Sequence, residues 1–320
     1  MVNAKKCKLQ SAICNLVFIF VLWPASAVFA QNATELKGHS ALVYSVAFSP
    51  NGKLLATAGY DNLVKIWDYP SGKEVRSIAG HSAPVYCVAF SPDGAVLASS
   101  SQDKLIRLWN PTDGKAVRVI EGHAGIVDSI AFSPNGKLLA SGGQDKTVRL
   151  WNPADGKEVK NLGAHAGSVY CVAFSPDGKF LASSSADGLI KIWDVAALKE
   201  AKTLKGHNDS VTGVVFAPDN ASVYSVGFDR HVRQWNVAAG TEIRKMGPTT
   251  DDLYGIAFSR DGKALATSGY AGNVTTWDLT SGKPSQTRKL KFGAYCIVFT
   301  PDGKAVVTGH DNHICYVTPL

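Results

Sequence analysis

Cysteine is scarce in this chain, six in 320 residues, and glycine and proline, at 30 and 14, are no commoner than in ordinary proteins. Those glycine and proline counts exclude a collagen-like or low-complexity chain. With 45% hydrophobic residues and seven tryptophans, the chain has apolar surface enough for a sizeable core and does not depend on disulfide staples. Charged residues make up 18% and mean hydropathy is 0.00, a globular balance. No stretch after position 30 is long and apolar enough to span a membrane. A basic stripe is missing too. The lysines are scattered, many in turns such as Asn51-Gly52-Lys53 and Asp113-Gly114-Lys115, so no nucleic-acid-binding face is expected.

Acidic residues are absent before Glu35, and what stands there instead reads as an address. Lys5, Lys6 and Lys8 make a basic start, Ala12 to Trp23 is largely apolar, and Val28-Phe29-Ala30 places small residues at the −3 and −1 positions of a cut. This pattern predicts a signal peptide over residues 1–30, cleaved after Ala30, and an exported protein, periplasmic or secreted, from a bacterium. Loss of the three lysines would take the formal charge from +7 to +4. A charge so small and so dispersed is no sign of an anionic partner.

Beyond the address, every tryptophan falls on one ruler. Trp67, Trp109, Trp151, Trp193, Trp235 and Trp277 are spaced by 42 residues, as are His39, His81, His123, His165 and His207. Asp61, Asp103, Asp145, Asp187 and Asp229 keep the same period. A period of this length predicts one four-stranded unit repeated around an axis. In the second repeat the first strand is Val85 to Phe90, a Pro92-Asp93-Gly94 turn leads to the second, and Leu105 to Trp109 is the third. First strands begin near Tyr44, Tyr86, Asp128, Tyr170, Thr212, Tyr254 and Tyr295, which gives seven blades. Only six outer strands follow third strands, the last around Ser285–Lys291. The seventh must be Thr34-Glu35-Leu36-Lys37, paired with Ile314–Val317 to close the ring.

Gly38-His39 with Trp67-Asp68, Gly80-His81 with Trp109-Asn110, Gly122-His123 with Trp151-Asn152 and Gly206-His207 with Trp235-Asn236 carry a resemblance. They are similar to the two marker dipeptides of the tryptophan–aspartate (WD) repeat family of β-propellers, over essentially all of residues 33–320. The fold implied is all-β, a seven-bladed propeller of four-stranded antiparallel blades, with residues 31–320 as a single domain.

His, Ser or Thr, and Asp together suggest a hydrolase triad. The resemblance implies instead a hydrogen-bonded strut inside each blade. The sets are His39, Thr57, Asp61 and Trp67; His81, Ser99, Asp103 and Trp109; and His123, Ser141, Asp145 and Trp151. His165, Ser183, Asp187 and Trp193, then His207, Ser225, Asp229 and Trp235, complete five. Five equivalent sets are struts, since an enzyme needs one site. The sixth repeat has Thr249 for histidine and Ala271 for aspartate. The seventh has no histidine before its first strand and Val317 in place of tryptophan.

Cys87, Cys171 and Cys296 share one first-strand position, and Cys315 lies two strands from Cys296, roughly 10 Å away and beyond disulfide reach. Free thiols are expected. His310, His313 and Cys315 lack a fourth ligand, so no metal and no cofactor are implied.

The family resemblance implies protein binding on the face made by the turns before the first strand and between the second and third. Mapped onto this sequence, that face receives Tyr44, Tyr60, Tyr86, Asp128, Phe228, Asp252, Tyr254, Tyr270, Tyr295 and His310, with Asp251 beside it. Tyr254, Tyr270, Tyr295, Tyr44 and Tyr60 should form one aromatic sector across blades six, seven and one. The expected function is a non-enzymatic interaction platform for a protein or peptide. The alternatives are an enzyme or small-ligand or metal-binding protein using the central channel, and a purely structural spacer.

Overall fold

The computed structural model describes residues 33–320; the signal peptide expected over residues 1–30 lies outside them. Twenty-eight strands and no helix make up the described residues, grouped in seven four-stranded antiparallel sheets. In blade one the order from the axis outward is Val43–Phe48, Leu54–Gly59, Val64–Asp68 and Glu74–Ile78. The seven first strands pack against one another around the axis, so the ring is closed.

The turn chemistry explains the hairpins. Gly94 sits at φ +73° and its N–H donates to the Ser91 carbonyl at 2.8 Å, a left-handed corner that glycine adopts freely. Closure is as the sequence requires. Thr34–Lys37 pairs antiparallel with Ile314–Pro319, Leu36 standing opposite Cys315 and Lys37 opposite Ile314. The outer strand of blade six runs Lys283–Lys289, two residues earlier than expected, because Lys283 pairs with Asp278 immediately across the Thr280-Ser281-Gly282 turn.

Apolar residues are buried between blades, not within one central mass. Seven clusters lie at the seven seams; the first joins Ala56 and Ile66 of blade one to Val85, Leu97 and Trp109 of blade two. Each of the six described tryptophans is 1–3% exposed and fills a seam. The seam between blades six and seven has none, only Ala266, Val274, Leu290, Ile297, Phe299 and Val306. Among the described residues Cys87, Cys171, Cys296 and Cys315 are free thiols. Burial pushes the Cys171 thiol up to about 11 and Cys296 up to about 12, which leaves both protonated and inert at neutral pH.

Candidate functional site

All seven first strands carry a β-bulge at their second residue, between Val43 and Ser45 in blade one and at the equivalent place in every other blade. A bulged residue has no ladder partner, and the local twist re-aims its side chain. The bulged residues are Tyr44, Tyr86, Asp128, Tyr170, Thr212, Tyr254 and Tyr295. They form a collar around one mouth of the channel.

The aromatic members of this collar touch. Tyr44 lies 4.6 Å, ring centre to ring centre, from Tyr86, 5.9 Å from Tyr295 and 6.1 Å from Tyr60. Tyr295 is 5.0 Å from Tyr254, which is 5.2 Å from Phe228 and 6.3 Å from Tyr270. These are contact distances for tilted and edge-on rings. The structure thus brings seven rings from blades two, one, seven, six and five into one arc, two rings longer than the five-tyrosine sector expected from sequence. Tyr60 and Tyr270 stand proud, 47% and 58% exposed, while the collar tyrosines are half-buried. Burial, the charge of Asp311 and the neighbouring phenols push the Tyr295 hydroxyl up to about 12. At neutral pH it is a protonated phenol, able to donate as well as accept.

Two residues assigned to this face from sequence are not available on it. His310 is the last residue of the strand Ala305–His310 and is completely buried. It is no turn residue, because the ladder continues as far as its pairing with Ala294. Its Nε2 meets the Thr308 hydroxyl at 2.7 Å and its Nδ1 the Phe292 carbonyl at 3.2 Å. Asp251 is 4% exposed, since its carboxylate accepts the Ala271 N–H at 2.6 Å and the Asn273 N–H and amide at 3.3 Å. Asp252 remains at the surface, with Oδ1 held by Arg230 Nε at 2.8 Å. Asp128, mapped to the mouth but given no role from sequence, has a buried Oδ2 with no hydrogen-bond partner. Its signal was present in the sequence: it is the one charged residue among seven equivalent bulge positions.

Behind the face stand the struts. In five blades the tryptophan Nε1–H donates to the Ser or Thr oxygen at 2.7–3.0 Å. That hydroxyl lies 2.7–2.8 Å from histidine Nε2. Histidine Nδ1 lies 2.8–3.0 Å from the aspartate. A neutral imidazole protonated at Nδ1 satisfies every donor and acceptor in this chain. Burial holds His81 and His165 below the usual histidine range, which favours that neutral form. Burial alone would raise the Asp61 carboxyl, but hydrogen bonds from His39 and the Ser40 N–H outweigh it and hold it low. Thr57, Ser99, Ser141, Ser183 and Ser225 are all completely buried, so these hydroxyls are closed off from the surface.

Blades six and seven fill the same space by other means. A Cβ on Gly59 of blade one would strike His39 and Asp61; on Gly269 of blade six it would strike Asp251. Asp251 therefore occupies the space that histidine and aspartate share elsewhere. In blade seven His310, reaching from the second strand itself, binds Thr308 where an incoming histidine binds its equivalent elsewhere.

Comparison with known proteins agrees with this architecture. A family model described as WD domain, G-beta repeat matches residues 30–68, 72–110 and 114–152, and one described as IFT122 first beta-propeller matches residues 148–317. The chain belongs to the WD-repeat β-propeller family. WD-repeat propellers are typically interaction scaffolds without catalysis. Two relatives are called Ribosome assembly protein 4. The one from Chaetomium thermophilum is 37% identical over 60 residues, 19% of this chain and 12% of that protein. The one from Saccharomyces cerevisiae is 46% identical over 39 residues, 12% of this chain and 8% of that protein. Notchless protein homolog of Arabidopsis thaliana is 41% identical over 58 residues, 18% and 12% of the two chains. The matches span about a tenth of the length of these relatives.

The relatives overturn one expectation. The basic, apolar start suggested an exported bacterial protein, periplasmic or secreted, whereas these WD-repeat relatives are fungal and plant proteins, two of them named for ribosome assembly. A short basic-apolar run is a compositional cue, and many sequences satisfy it without being exported. Among the described residues no helix is long and apolar enough to cross a membrane, and no group of three or more His, Cys, Asp or Glu could hold a metal ion.

Proposed function

We propose that this WD-repeat propeller is a non-enzymatic platform that binds a protein or peptide on the collar face. The observation that carries the reading is the continuous arc of seven rings, with Tyr60 and Tyr270 exposed at its crest. Tyrosines offer large, rigid contact area at small entropic cost and are enriched in binding hot spots. Repeat consensus accounts for Tyr44, Tyr86 and Tyr170, which recur at one position. Tyr60, Phe228 and Tyr270 come from the turns after the second strands, where blades two, three and four carry Gln102, Gln144 and Ala186 instead. The relatives named for ribosome assembly agree with a protein that joins other components.

The test is affinity capture with the full chain and with the double variant Tyr60→Ala/Tyr270→Ala. The variant should recover markedly less of the co-purifying proteins. Equal recovery would remove the reading.

A further inference from the structure

A docking face made of phenols favours cations, because the ring faces are electron-rich. Several acids lie at or near this one: Asp311, beside Tyr295, and Asp209, within electrostatic reach of Tyr170, are exposed to solvent, and two more are committed. Asp251 is spent on the blade-six turn, and Asp252 is held by Arg230. The remaining one is Asp128, whose Oδ2 is buried without a partner. An unsatisfied buried carboxylate oxygen costs stability. The acids of the struts show the contrast: Asp145 accepts from His123, from the Ala124 N–H and from Thr147.

The surroundings of Asp128 are equally specific. Its bulge lies between those of Tyr86 in blade two and Tyr170 in blade four. Its negative charge raises the proton affinity of Tyr44, Tyr86 and Tyr170, so all three hydroxyls lie within its electrostatic reach. Burial and the charge of Asp145 push the Asp128 carboxyl up to about 7, and no described lysine or arginine offsets them. The collar thus holds one under-compensated acid among half-buried aromatic rings. It is chemically complementary to a single positive charge carried on an apolar stem, and it repels an anion.

We propose that Asp128 anchors one cationic side chain, arginine or lysine, of the partner segment that docks on the aromatic arc. The charge pairs with the Asp128 carboxylate and the stem lies along the collar tyrosines. The inference rests on the docking reading above and assigns the chemistry of its deepest contact.

The experiment selects short random peptides displayed against the full chain. It keeps those whose binding is lost in Tyr60→Ala/Tyr270→Ala. Synthetic versions are then measured by fluorescence anisotropy, with the shared cation present as arginine, as lysine or as citrulline, its neutral analogue. The retained peptides should share one arginine or lysine, and citrulline should weaken binding about tenfold or more. Asp128→Asn should weaken the cationic peptide by a similar factor and leave the citrulline peptide unchanged, the pattern of direct coupling. A melting curve checks that the variant is folded; should it not be, the citrulline exchange tests the same contact from the peptide's side. Retained peptides without a shared cation, or equal binding by Asp128→Asn, would overturn the anchor and leave the docking face standing. Selected peptides indifferent to Tyr60 and Tyr270 would instead overturn the docking face.

Discussion

The Asp251 carboxylate accepts the main-chain N–H of Ala271 at 2.6 Å, so blade six has moved its acid from the turn after the second strand to the segment before the first. The hydrogen-bond need is the same and the residue that meets it comes from the other side. Replacing Asp251 with alanine should therefore cost about 2 kcal/mol, because buried turn amides lose a charged acceptor. Its neighbour Asp252, in an exposed pair with Arg230, should cost within about 0.5 kcal/mol under the same change. Urea unfolding of the two variants checks the contrast.

Ser141→Ala removes the relay of the blade-three strut and strands both the Trp151 Nε1–H and the His123 Nε2. A loss of about 2–3 kcal/mol is expected, since both groups are buried. Circular dichroism would show whether the variant keeps its fold while losing stability.

Acid should loosen the ring in two stages. His81 and His165 are held low in the folded state, so unfolded chains begin to gain protons preferentially as pH falls through 6.5. The strut aspartates are also held low, so their contribution is present above 3.8 and is lost as pH falls through their depressed folded values. Asp145→Asn should lower the melting temperature at neutral pH, and the gap to the parent should narrow below pH 3.8.

Asp128 works in the opposite direction. Its folded value is raised from 3.8 to about 7, so its stability penalty is absent below pH 3.8, grows as pH rises and is complete above pH 7. Asp128→Asn should melt higher than the parent at pH 8 and level with it at pH 3.5. A neutral residue that stabilises the fold and weakens binding is the pattern of a functional acid.

Removing residues 31–38 should strip blade seven of its outer strand and expose Cys315 and Val307, which pack with Leu36. Stability should fall by several kcal/mol. A melting temperature equal to the parent's would show that the strand does not close the ring.

Most of the ring could be read from the 42-residue period, because strand, turn and tryptophan recur with it and each repeat votes for the same structure. Even the pairing of Thr34–Lys37 with the last strand follows from the one outer strand that the repeats lack. The period misled where residues depart from it. His310 and Asp251 were placed by equivalence with other repeats. Both turned inward, because blades six and seven lack the usual strut residues and recruit substitutes from nearby positions. Phe228 and Tyr86 were named singly from sequence. Their joining to the arc depends on ring-to-ring distances, which no spacing encodes.

The closing strand also sets an order in time. Lys37 leaves the ribosome long before its partner Ile314 is made, because six blades lie between them in the chain. Blades one to six can form their hairpins as they appear, since those contacts are local. The clasp cannot. Until the last strand arrives, Leu36 and the apolar flank of blade one stay uncovered, and the nascent chain carries a sticky edge that another copy could capture. A helper that shields this edge during translation would act on the first few residues of the propeller, and its task would end when the last few are released.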